Sequence, residues 1–211
     1  MKERKLTHDD HYKGMDVLQF KKQNVGLDKD ILECIHDRMT DMLSRHSKVY
    51  AMRFDVKQPE QIQDTSNQWF SEFQAHFAKK EKRAGYDPSY VAVREVTESG
   101  KPHYHEYLMV DGNKTEKIHE HIKNANEAMN CTLGIPKDER TGLINDCTRN
   151  RKGFRQDNGE QINLKTWLGC DACQSSFRHA SYLAKESQKE PQKGVRELFA
   201  SQVKKDSKKT P

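Results

Sequence analysis

Two β-rich runs, Ser89 to Thr97 and Pro102 to Val110, are separated only by Glu98, Ser99, Gly100 and Lys101. A short polar connection containing glycine joins antiparallel strands, so the pair predicts a hairpin, and a hairpin needs further strands or helices to cover its apolar face. Within the second strand side chains alternate between faces, which puts His103 and His105 on one side and Tyr104 on the other. Glu95 lies on the preceding strand. With a loop of odd length centred on Gly100 it falls cross-strand from the two histidines on their face, whereas an even loop puts Arg94 there.

Two imidazole nitrogens and one carboxylate oxygen suit Mn²⁺ or Mg²⁺ with open water positions, or Zn²⁺, and Mn²⁺ tolerates nitrogen better than Mg²⁺ does. The plainer alternative is a pair of partly exposed strand histidines whose charge Glu95 balances. His-x-His alone says little in a chain with 10 His, and a second pair occurs. His119 and His121 fall in a helical stretch, where residues two apart do not face each other, and read as solvated surface.

Around the hairpin the pattern alternates between helix and strand. Residues 1–27 are polar and interrupted by Gly14 and Gly26, and read as an extended arm of low order. From Asp28 to Arg45 the apolar positions Ile31, Leu32, Ile35, Met39, Met42 and Leu43 recur at helical spacing behind an aspartate cap. Ser47 to Val56 reads as a strand, and Gln61 to Lys82 as a helix with Trp69, Phe70, Phe73 and Phe77 on one side. Thr115 to Asn130 returns to helical spacing. Pro136 to Gln161 is a long loop, of a length that is usually functional or mobile. Ile162 to Leu168 reads as a last strand, Gln174 to Glu186 as a last helix, and the residues from 190 on as a basic, disordered tail. This order fits an α+β domain over residues 28–189, an antiparallel sheet with helices packed on one face as in ferredoxin-like and RRM-like folds, with an added N-terminal helix.

On the last helix Phe177, Ala180, Leu183 and Ala184 make the buried stripe, and Arg178, His179, Tyr182 and Lys185 the opposite arc. Arg178 is four residues before Tyr182 and Lys185 three after it, so both cations are within reach of the phenol or of a phosphate beside it. Neighbouring positive charge favours a phenolate, which is a usable nucleophile.

The hairpin text VREVTESGKPHYHEYLMV, followed by SYLAK with its Tyr182 77 positions after His105, resembles the HUH superfamily of single-strand endonucleases, and within it the single-tyrosine replication initiators of prophages and filamentous phages. His103, Tyr104 and His105 match the family's His-hydrophobe-His, Tyr182 and Lys185 its helical tyrosine with a lysine three residues on, and Glu95 the acidic third ligand. The resemblance implies a divalent cation, Mn²⁺ or Mg²⁺, held by His103, His105 and Glu95. It implies nicking of single-stranded or supercoiled DNA by Tyr182 through a 5′-phosphotyrosyl adduct, with Lys185 neutralising charge. It also implies rolling-circle replication of a mobile element or phage, with a host helicase and replication proteins as partners, because no helicase-type phosphate loop is present. Arg178, His179, Arg149, Arg151, Lys152 and Arg155 are the candidate contacts to the DNA backbone. A nicking effector or transposase with the same chemistry is one alternative. A non-catalytic RRM-like nucleic-acid-binding protein that stacks bases on Tyr104, Tyr107 or Tyr90 is another.

Five cysteines form an odd set. Cys170 and Cys173 make one CxxC that Cys131 and Cys147 would have to complete for structural Zn²⁺, so free thiols are the preferred reading. No apolar run approaches a membrane span and Met1 to His11 lacks a secretory signal, so a cytoplasmic protein with no membrane partner is expected.

Overall fold

Period-two alternation along three long strands builds the centre of the molecule. The computed structural model describes residues 4–20, 23–63, 66–96, 100–150, 152–156, 158–163, 171–186 and 195–203. Short strands β1 (Leu6–Thr7), β2 (His11–Tyr12), β3 (Met15–Asp16) and β4 (Leu27–Asp28) lead into helix α1 (Lys29–Arg45) and strand β5 (Lys48–Lys57). Next come α2 (Gln68–Arg83), the hairpin strands β6 (Ser89–Val96) and β7 (Pro102–Asp111), and α3 (Ile118–Leu133). Strands β8 (Ile144–Asn145) and β9 (Glu160–Asn163), helix α4 (Asp171–Ala180) and strand β10 (Leu198–Ala200) complete the order. The main sheet runs β10-β6-β7-β5, with β8 and β9 both on the outer edge of β5, and its pairings are antiparallel. The chain is therefore of the expected α+β class.

Each strand sends its odd and even residues into different cores. Met52, Phe54 and Val56 of β5 join Tyr104, Leu108 and Val110 of β7 beneath α2 and α3. Val49 and Ala51, with Val91, Val93, Tyr107 and Met109, face α1 and α4 instead. The layer of α2 and α3 is the helical cover expected on one face; α1 and α4 add a second layer on the other. Burying one large apolar side chain stabilises by about 1.5–3 kcal/mol, so both cores contribute heavily. Tyr104 stacks on Phe70 with ring centroids 3.7 Å apart and donates its hydroxyl to Asn67 Oδ1 at 2.7 Å. That anchor holds His103 and His105 on the opposite face. With Tyr104 and Tyr107 buried and helices on both faces, base stacking on these tyrosines is not available to an RRM-like binder.

Local chemistry sets the helix ends. Asp28 caps α1, its carboxylate accepting from Asp30 N at 2.9 Å and Ile31 N at 3.4 Å. Gly134, at φ +66°, ends α3 in the left-handed conformation that suits glycine. α2 starts at Gln68, later than the apolar spacing suggested. α4 stops at Ala180, and Ser181–Ala184 continue as a tighter 3₁₀ turn. Tyr182 therefore sits in that turn and not in the α-helix expected from residue 174 to 186, so the α-helical arc of Arg178, His179, Tyr182 and Lys185 does not form. Of the last strand expected to reach Leu168, residues 164–168 lie outside the described residues.

The N-terminal segment does not trail as an arm. Met15, Val17 and Leu27 are buried, β1 pairs with β4, Leu18 N donates to Ser181 Oγ at 2.8 Å and Glu186 N to Gly26 O at 3.1 Å. Its few apolar side chains are too widely spaced to show a period, which is why composition suggested disorder. Nor is the C-terminal stretch all tail: β10 pairs with β6, and Phe199 is buried against Phe70 and Tyr104. The lysines from 204 on lie outside the described residues. His119 is exposed as expected, but His121 is fully buried with Nδ1 2.7 Å from Glu81 Oε2, because residues two apart on a helix point to nearly opposite sides. The long loop is partly sheet, through β8, β9 and an antiparallel bridge between Arg149 and Arg155. Among the described residues, no helix is long and apolar enough to cross a membrane.

Candidate metal centre

Register fixes the three expected ligands. Glu95 pairs directly with His103 and Val93 with His105, so five residues, 97–101, separate the paired Val96 and Pro102. The loop is odd, as the placement of Glu95 required, but the pairing centres on position 99 and Gly100 stands one residue beyond it. Glu95 Oε2 lies 3.1 Å from His105 Nε2 and 3.7 Å from His103 Nε2, and the two imidazole nitrogens are 3.0 Å apart. A cation with ~2.1 Å bonds needs donors ~3.0 Å apart if octahedral and ~3.4 Å apart if tetrahedral, so the donor set fits such an ion. Among the described residues this is the group of His, Cys, Asp and Glu side chains close enough to hold a metal. Glu95 and His105 are buried and His103 is half-buried, so access is from the His103 side.

Behind the ligands lies a pair the hairpin alone does not reveal. β5 brings Asp55 opposite His105, whose Nδ1 is 2.6 Å from Asp55 Oδ1. Arg53, two residues earlier on the same face, reaches Asp55 Oδ1 from Nη2 at 3.1 Å. An imidazole whose Nδ1–H is held by a carboxylate presents its Nε2 lone pair to a cation, which fixes the tautomer a ligand needs. Charges follow the geometry. Burial opposes a charge on His105, but its hydrogen bonds to Asp55 and Glu95 outweigh that and raise its pKa. Burial, then the neighbouring His105, pushes His103 down to about 4, so it offers a free lone pair at neutral pH. Burial works to raise Asp55, yet His105 and Arg53 hold it well below the usual carboxylate range. The Cys147 thiol beside it is pushed up to about 12 by burial and then by Asp55, and stays protonated.

Tyr182 is on the same side of the sheet. Its ring stands edge-on to His105 with centroids 5.2 Å apart, and the Arg53 guanidinium lies 4.1 Å from its centroid. Phe20 closes another side, 6.3 Å from the Tyr182 ring. Lys185 is placed differently from the expectation: its Nζ lies 4.8 Å from the Phe20 ring, and its backbone bridges Leu27. The cation on the phenol is Arg53, a residue that sequence reasoning missed. Arg53 and Asp55 were findable as two charges, two apart, on one face of a strand whose other interior residues are apolar or aromatic.

The expected backbone contacts are spread over two elements. Arg178 is exposed on α4, and His179 Nδ1 is 3.6 Å from Glu160 Oε1. Arg149, Lys152 and Arg155 are exposed on the excursion between β8 and β9, while Arg151 lies outside the described residues. For structural Zn²⁺, Cys170 also lies outside them; Cys173 is buried, with its Sγ 3.9 Å from Met39 Sδ, and Cys34, Cys131, Cys147 and Cys173 form no disulfide among the described residues.

A family model, the YagK/YfjJ C-terminal domain, matches residues 7–200, and the chain belongs to that family. No curated protein and no solved structure matches it.

Proposed function

We propose that this member of the YagK/YfjJ C-terminal domain family is a metal-dependent endonuclease that nicks single-stranded DNA through a covalent bond to Tyr182, in the service of replicating a mobile element or phage. The observation that carries the reading is the packing of the Tyr182 ring and the Arg53 guanidinium against the His103–His105–Glu95 group. A divalent cation bound there supplies Lewis-acid stabilisation of charge on a phosphate oxygen. His103, His105 and Glu95 would hold it, and Asp55 would keep the His105 lone pair turned toward it. Arg53 favours the phenolate and screens the approaching phosphodiester. Tyr182 Oη forms a bond to phosphorus as the bond to the 3′-oxygen breaks; the phenol proton leaves to water and the departing 3′-oxygen takes one up. One phosphodiester replaces another, so the link is conserved in a 5′-phosphotyrosyl ester that a later strand can attack. Lys185, whose Nζ lies over the Phe20 ring that packs on Tyr182, would meet the DNA backbone and not the phenol. The test is cleavage of a supercoiled plasmid or labelled single strand in Mn²⁺: the parent nicks and Tyr182→Phe does not. A Tyr182→Phe variant that nicks as well as the parent removes the proposal.

A further inference from the structure

Between β8 and β9 the chain leaves the β5 edge as a narrow ribbon whose root is one residue from the candidate metal centre. Asn145 pairs with Asp55, the residue behind His105, and Asn158 replaces a strand partner with its side chain, accepting from Arg53 N at 2.9 Å and donating to Arg53 O at 2.6 Å and Asp146 O at 2.5 Å. A Cβ on Gly159, at φ +94°, would run into the Tyr50 hydroxyl, so the return of the ribbon to the sheet is fixed. Farther out, Gln156 N donates to Thr148 O at 2.8 Å and Asn150 N to Phe154 O at 2.9 Å. The tip is preformed: Asn150 Oδ1 accepts from Lys152 N at 2.9 Å and Phe154 N at 3.0 Å, and Arg149 Nη1 donates to Gly153 O at 3.0 Å. Phe154 stands there at 65% exposure, and the other exposed large hydrophobic among the described residues is Val203. Arg149, Lys152 and Arg155, all exposed, lie on the same ribbon within five residues of Phe154.

We propose that Phe154 is a stacking platform for a base of single-stranded DNA, with Arg149, Lys152 and Arg155 holding the flanking phosphates, so that the ribbon grips the strand whose phosphodiester enters the metal centre. The assignment of that strand as a substrate rests on the function proposed above. A buried aromatic would stabilise the fold, and this exposed one does not; an exposed aromatic with cations along the same ribbon is an arrangement that binds an unpaired base and its backbone.

The test uses the full chain carrying Tyr182→Phe in EDTA, so that neither metal nor covalent chemistry enters, and measures binding of fluorescent oligothymidylate and of a hairpin duplex. Phe154→Ala should weaken binding to the single strand by about five- to a hundredfold and leave the duplex and the salt slope nearly unchanged, while Phe154→Trp keeps parental affinity. Arg155→Ala should lower the salt slope by about one for both DNAs. Equal affinity of Phe154→Ala and parent, an equal loss on duplex, or a loss in Phe154→Trp as large as in Phe154→Ala would overturn the proposal. Because no cleavage is read, loss of nicking activity elsewhere and failure of the platform appear as separate results.

Discussion

Replacing Asp55 by asparagine removes the negative charge behind His105 and keeps the side chain's shape. In the parent, Asp55 Oδ1 is 2.6 Å from His105 Nδ1 and also accepts from Arg53 at 3.1 Å. A charge-assisted hydrogen bond of this kind is worth about 1.5–3 kcal/mol. The amide also allows the wrong tautomer: its NH₂ can donate to Nδ1, which leaves the proton on Nε2, the atom that must face the cation. Loss of such an outer partner costs ~10–100-fold in metal affinity, or about 1.4–2.7 kcal/mol, in line with the hydrogen-bond figure. Calorimetric titration of the full chain with Mn²⁺ at neutral pH reads this directly, with His103→Ala as the variant that removes a ligand outright. Asp55→Asn should bind ten- to a hundredfold more weakly than the parent and His103→Ala more weakly still. Parental affinity in Asp55→Asn would refute the role of Asp55, and parental affinity in both would refute the site.

Two further outcomes follow from the same physics. Arg53→Ala should slow strand cleavage by about two orders of magnitude, as removal of a preorganised charge does, whereas Lys185→Ala, whose ammonium lies over Phe20, should cost less than tenfold; single-turnover nicking compares them, and the reverse order contradicts the reading. Glu106, fully buried under α2 with Gln74 as its partner, is pushed up to about 8 by burial. Its folded value lies above the unfolded one, so the unfolded chain gives up its proton first and stability falls as pH rises from about 4.5 to about 8, by up to about 5 kcal/mol. Glu106→Gln should flatten that loss in thermal unfolding across this range, and a variant whose stability falls as steeply as the parent's assigns the loss to other groups.

The parts of the site legible in the sequence are those whose geometry is local. His103, His105 and Glu95 lie on two consecutive strands, so alternation and an odd loop suffice to put them on one face. Asp55 and Arg53 needed the pairing of β5 with β7, a non-local contact whose register no short turn specifies. The helical stripe of α1 was visible at its own period, while residues 4–28 are held by scattered contacts, such as Leu18 with Ser181 and Leu27 with Lys185, that have no period at all. Tyr182 reads onto the arc opposite the buried stripe of Phe177 and Ala180, and the structure turns its ring to His105 instead, because the change from α to 3₁₀ at Ser181 rotates every later residue away from the α-helical wheel.

The central claim, that Tyr182 attacks a phosphate held at the His103–His105–Glu95 group, is tested most directly by mass spectrometry of the protein after incubation with Mn²⁺ and a labelled single strand. The account predicts a denaturant-stable adduct on the peptide containing Tyr182, with the nucleotide attached through its 5′-phosphate, and none in His103→Ala. An adduct on another residue, or the same adduct without His103, would contradict it.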